Sequence, residues 1–125
     1  MSAADGSAQR LRLVPGTFVV EHLPAAVAPP NGWIALVRAP EGLTVVREVV
    51  ERDSAGADLW RALYGGDSAH GLDLPGMLAA LLGALAAAAV PVFVASTFHA
   101  DLVLVPEHAV ERAVEALRSA GHTVD

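Results

Sequence analysis

Two short stretches of this 125-residue chain concentrate the side chains that could recognise a small polar ligand. The first is Gly71-Leu72-Asp73-Leu74-Pro75-Gly76, which stands where a helix should begin. The free backbone N–H groups of a helix start favour an anion such as a carboxylate, and glycine lets a ligand come close to the backbone. Asp73 has two readings: it can bind an α-ammonium group, or it can cap its own helix. The second stretch is Ser96-Thr97-Phe98-His99-Ala100-Asp101, a hairpin loop between two apolar strands. Its hydroxyls and carboxylate suit an ammonium and a carboxylate. The same residue types also build ordinary turns, in which Ser, Thr and Asp bond their own backbone.

Other chemistry finds little support. His22, His70, His99, His108 and His122 form no i, i+4 pair and no recognisable metal spacing, so no metal is expected. These histidines are expected at the surface, although His70 and His99 flank the two stretches and a contact between them would titrate near neutrality. An acid/base site could draw on Asp73, Asp101 and His70, yet nothing positions a nucleophile and no Gly-x-Ser-x-Gly elbow is present. Gly65-Gly66 lacks the later lysine of a phosphate loop and the third glycine of a dinucleotide motif. The chain is therefore expected not to be an enzyme and to carry no cofactor.

The elements that must hold these stretches follow from the apolar patterning. Leu11 to Val14 and Thr17 to Val20 are short runs separated by Pro15-Gly16, either a hairpin or one bent strand. Trp33 to Arg38 and the valine-rich Leu43 to Val50 read as strands broken by Pro40-Glu41-Gly42. Leu59 to Tyr64 is the next strand. Asp73 starts a helix whose Leu74, Met77, Leu78, Leu81, Leu82 and Leu85 recur at helical spacing, with Pro75 in its first turn. Val90 to Ala95 and Leu102 to Val105 are strands, and Pro106-Glu107 opens a second helix with Ala109, Val110, Ala113, Val114 and Leu117 on one side. Gly121 stops it and His122 to Val124 adds a last strand.

Residues 59–124 thus read β-α-β-β-α-β, the ferredoxin-like α+β order with both helices on one face of an antiparallel sheet. Residues 1–10 read as a disordered tail without an apolar signal core, 11–57 as a strand-rich N-terminal half, and 58–125 as the C-terminal domain, with Glu51 to Asp58 the boundary.

Composition narrows the partners. Net charge is −6, and the eight cations are all arginine without a basic stripe, which argues against nucleic acid. Leu74 to Phe98 holds no charged residue, but Pro91 and the change there from Ala/Leu to Val/Phe favour a buried helix followed by a buried strand over a membrane span. The absence of cysteine removes disulfides and thiol chemistry and is compatible with a cytoplasmic protein. Gly83 and the run Ala86 to Ala89 make one helix small-sided, either for tight packing on the sheet or for a subunit contact.

The ordered set of Gly71 to Gly76, Pro91 to Phe98 with Asp101, Leu104-Val105-Pro106-Glu107 and Glu111 to Leu117 resembles the bacterial ACT-domain family related to the CASTOR arginine sensors. Leu13 to Phe18 and Trp33 to Val46 are similar to that family's N-terminal half. The resemblance implies a pair of ACT-like units, the first of them degenerate, and a regulatory role as a sensor of an amino acid or similar metabolite. It implies ligand contacts at Gly71, Asp73, Gly76, Thr97, Phe98 and Asp101, and a homodimer that passes the bound state to a protein partner. The alternative is a dimeric protein-interaction module without a small ligand.

Overall fold

The computed structural model describes residues 8–24, 28, 31–49, 58–65 and 76–125. Its chain divides into two compact units, Gly16–Trp60 and the combination of Met1–Pro15 with Arg61–Asp125.

The smaller unit is antiparallel. Strand β2 (Phe18–Leu23) pairs with β4 (Gly42–Glu48), which pairs in turn with β3 (Trp33–Ala39), so the strand order is β2-β4-β3. The β3–β4 hairpin turns at Pro40-Glu41, where proline presets its own φ. Gly42 closes it at φ +142°, and a Cβ there would collide with the Leu23 carbonyl oxygen and sit 2.8 Å from His22 Nε2. Only glycine fits that corner. Phe18, Val19, Leu43, Val45 and Val46 are buried. Across β2 and β4, Arg47 grips Glu21 with two parallel hydrogen bonds of 2.8 and 2.9 Å. Those bonds hold the Glu21 carboxyl below the usual carboxylate range, although both side chains are about a third exposed. Such a pair contributes about 0.2–1 kcal/mol.

The larger unit carries the expected β-α-β-β-α-β order: β5 (Trp60–Gly65), α1 (Met77–Ala87), β6 (Phe93–Ser96), β7 (Asp101–Pro106), a single 3₁₀ turn (Glu107–Ala109), α2 (Val110–Ser119) and β8 (Thr123–Val124). A fifth strand, β1 (Arg10–Leu13), joins them. Its residues pair antiparallel with Tyr64 and Leu63 of β5 and parallel with Thr123 and Val124 of β8. The order in this unit is therefore β6-β7-β5-β1-β8. Pro15-Gly16 is not a hairpin turn, because β1 and β2 are not partners; the chain passes there from one unit to the other. Gln9, just before β1, is also tied in: its carbonyl accepts from Thr123 N and its side chain donates to the Met77 carbonyl.

The core explains the pattern. Leu11, Leu63, Val103 and Val105 point from alternate strand positions toward Leu81 and Leu85 of α1 and Ala113 and Leu117 of α2. Alternation puts all of them on one face of the sheet, so both helices cover that face. This is the ferredoxin-like α+β arrangement. α2 is amphipathic as its spacing predicts. α1 is apolar all round, and its Gly83 faces open space with Ala79, Ala86 and Ala87 exposed, so these small residues are not the ones packed on the sheet. Val90 to Val92, predicted as strand, instead form the exit of α1, and β6 starts at Phe93.

α1 ends on Ala89, the sole non-glycine residue with positive φ (59°) among those described. A left-handed alanine costs about 1–2 kcal/mol. The termination holds because Val90 N donates to the Leu85 carbonyl and Arg112 of α2 donates to the carbonyls of Ala88 and Ala89 at 3.1 and 3.4 Å. Ala89→Gly is expected to raise stability by roughly 0.5–1 kcal/mol in urea unfolding, because glycine adopts this φ without the Cβ clash.

His122 departs from the surface expectation: it is 4% exposed. Its Nδ1 accepts the backbone N–H of Gln9 at 3.1 Å, which requires that nitrogen to be unprotonated. Burial pushes the ring's pKa down, outweighing a hydrogen bond to the Ala80 backbone that favours the cation. Below about pH 6.5 the unfolded chain takes up a proton that the folded chain resists. Stability contributed by neutral His122 is thus complete above that pH and lost as pH falls through it. Urea unfolding at pH 7.5 and 5.5 should show the loss, and His122→Asn, which keeps an acceptor without a titrating ring, should flatten it.

Candidate functional site

The β6–β7 hairpin positions the second of the two stretches. Phe93 to Ser96 pairs with Leu104 to Asp101, so Ser96 and Asp101 are the last pair and residues 97–100 form the loop. Ser96 Oγ donates to Asp101 Oδ1 at 2.7 Å, which fixes the direction of that carboxylate. Within the loop, Thr97 Oγ1 accepts from the backbone N–H groups of His99 (3.1 Å) and Ala100 (2.9 Å) and donates to the Ala100 carbonyl at 2.9 Å. Thr97 N donates to that same carbonyl at 2.7 Å. A hydroxyl has one proton and two lone pairs. The turn alone can take up the one proton and both lone pairs of Thr97, so the longer 3.3 Å contact from the Tyr64 hydroxyl has to share them, and the loop is fastened by its own backbone.

That fastening displays Phe98. Its side chain is 76% exposed, the most exposed large apolar residue described, and the His99 ring stands edge-on to it with centroids 5.2 Å apart. An aromatic face held in water can stack an apolar or cationic group.

Two further residues join the loop that the sequence did not single out. Tyr64, the chain's one tyrosine, is next to last in β5, with its hydroxyl 3.3 Å from Thr97 Oγ1. Arg12, its partner across β1 and β5, lies with its guanidinium carbon 5.8 Å from the Tyr64 ring centroid. Arg12, Tyr64 and Thr97 thus form a line across one end of the sheet. A sole tyrosine near the end of a strand was a local signal; its neighbours depend on strand register between residues far apart in the chain.

The structure therefore gathers Thr97, Phe98 and Asp101 on one hairpin. Gly76, expected inside a helix that starts at Asp73, is instead the N-cap of α1 at φ 86°, so the helix begins at Met77; it has no side-chain cap and nothing within 4 Å of where a Cβ would be. Gly71, Asp73 and His70 lie outside the described residues, and the N-cap position that Asp73 was expected to fill is taken by Gly76. A groove of about 580 Å³ lies along α2, lined by none of the residues singled out as ligand contacts. Among the described residues no three of His, Asp and Glu are grouped to hold a metal ion, and no helix is long and apolar enough to cross a membrane.

Comparison with known proteins agrees with this architecture. Over 88 residues, 70% of this chain, the sequence is 32% identical to the cytosolic arginine sensor for mTORC1 subunit 1 of Homo sapiens, and equally to that of Bos taurus. Those residues make up 27% of the sensor, so the chain spans about a quarter of its curated relatives. Among solved structures, a protein from Agrobacterium tumefaciens superposes with a TM-score of 0.78 at 23% identity, over 94% of this chain and 92% of that one. A Vibrio cholerae protein of unknown function, described as a possible transport protein, superposes with a TM-score of 0.72 at 24% identity, over 89% and 88%. At these identities the two structures share the fold. The ACT-domain model matches residues 56–119, just over half of the sequence and the whole of α1, β6, β7 and α2. This chain belongs to the ACT-domain family, with a distant relationship to the arginine sensors.

Proposed function

We propose that this chain is a cytoplasmic ligand sensor that binds an amino acid or a closely related metabolite at the Ser96–Asp101 hairpin. ACT domains are non-catalytic regulatory modules, and this chain is one of them rather than an enzyme. The observation that carries the ligand reading is the Asp101 carboxylate, oriented by Ser96 on the same rigid loop that holds Phe98 out into solvent. In this reading Asp101 receives the α-ammonium group and Phe98 covers the ligand's side chain. Gly71, Asp73 and Gly76, around the start of α1, meet the α-carboxylate and ammonium through backbone N–H groups and the aspartate. Thr97 acts by holding the loop, since its hydroxyl is already committed to the turn.

The sensor works as a homodimer. A ligand that bridges two copies favours one arrangement of them, and a protein partner reads that arrangement. The names of the curated relatives support an amino acid as the ligand class. The full use of the Thr97 hydroxyl favours the rival reading, a dimeric interaction module that needs no small ligand.

A thermal-shift screen of the purified chain against the twenty amino acids separates the two. A ligand at 100 times its Kd that binds only the folded state adds about 2.7 kcal/mol, a shift of several degrees for a domain of this size. One amino acid should give a saturable shift, lost in Asp101→Ala and reduced in Phe98→Ala while circular dichroism shows both variants folded. A flat response across the panel, with a dimer by light scattering, would put the interaction module in its place.

A further inference from the structure

The groove along α2 is formed with Leu13 of β1 in the larger unit. Leu13, Val110 and Val114 are half-buried and supply its apolar floor, while Glu111, Glu115 and Arg118 are exposed along it. From Val110 to Ser119 the helix covers about 14 Å. That length, open to solvent on one side, suits two or three turns of a docked helix better than a single metabolite.

Electrostatics selects the occupant. Both arginines of α2 are committed to backbone oxygens, Arg112 to Ala88 and Ala89 and Arg118 to Val124 at 2.7 Å. Glu111 and Glu115 have no hydrogen-bond or ion-pair partner among the described residues. An apolar floor bordered by two unpaired carboxylates against the single charge of Arg118 is net negative, and on a chain of net charge −6 it complements a segment that is aliphatic on one side and cationic beside it.

We propose that this groove docks a basic amphipathic helical segment of a protein partner. Its aliphatic residues lie on Leu13, Val110 and Val114, and its lysines or arginines face Glu111 and Glu115. The docking does not depend on a ligand at the hairpin.

The test uses the whole chain and a fluorescent leucine/lysine peptide patterned so that one helix face is all leucine, with a leucine/glutamate peptide as its counterpart. At physiological ionic strength the basic peptide should bind saturably, shift the methyl resonances of Leu13, Val110 and Val114, and leave the acidic peptide unbound. Glu111→Lys with Glu115→Lys should weaken binding by about tenfold or more. Glu41→Lys with Asp58→Lys makes the same change in net charge at residues that do not line the groove and should cost about twofold or less. Equal losses in the two double variants, methyl shifts confined to other residues, or no saturable binding would overturn the proposal.

Discussion

β1 is four residues long, yet the larger unit is organised around it. On one side it pairs with β5 and on the other with β8, so the first and last strands of the β-α-β-β-α-β order meet only through it. The bonds are regular: Thr123 N to the Gln9 carbonyl, Asp125 N to that of Leu11, Leu13 N to that of Asp125, each 2.9 Å. Leu11 and Val124, paired here, are both core residues. Forming this contact requires closing more than a hundred residues of chain, a cost that grows only with the logarithm of loop length and is met once the shared core forms. Gln9 extends the seam by giving its N–H to His122 and its side chain to the start of α1. The buried histidine thus depends on where β1 is placed: Gln9, the residue that leads into the strand, supplies the donor that makes a neutral ring welcome there.

This constraint also marks what could be seen in the sequence. Elements set by local signals were legible: the turn at Pro40-Glu41, the apolar stripe of α2, and Gly121, which stops that helix at φ 101° while His122 N reaches back to the Leu117 carbonyl. The β-α-β-β-α-β order followed from them. The placement of β1 did not, because a four-residue strand carries no address for partners at residues 63–64 and 123–124. The burial of His122 and the row of Arg12, Tyr64 and Thr97 were hidden for the same reason. The exit of α1 runs against composition: valine at 90 and 92 suggests strand, but the left-handed turn at Ala89 and Pro91 delay pairing until Phe93.

Of the candidate site, the loop was legible and the division of labour inside it was not. Turn chemistry and ligand chemistry draw on the same residue types, and only geometry assigns them individually. Thr97 is used by the turn; Ser96 orients Asp101; Phe98 is left facing water. A loop that satisfies its own backbone presents its remaining groups in fixed positions, which lowers the ordering cost of binding. The turn reading of Thr97 and the ligand reading of Asp101 are therefore compatible.

The fixed positions of the arginines change the meaning of the net charge. Arg47 is paired with Glu21, Arg112 and Arg118 hold backbone carbonyls, and Arg12 lies against Tyr64. An arginine bound to a carbonyl keeps its charge, but its position is dictated by the fold and it cannot swing out to neutralise a neighbouring acid. The chain has no lysine, whose long flexible stem could do so instead. With both arginines of α2 so fixed, Glu111 and Glu115 have no ion-pair partner among the described residues, and their field extends over the Debye length of about 8 Å at physiological ionic strength. The field on the α2 side is thus set by where the arginines are fixed as much as by how many acids the chain carries.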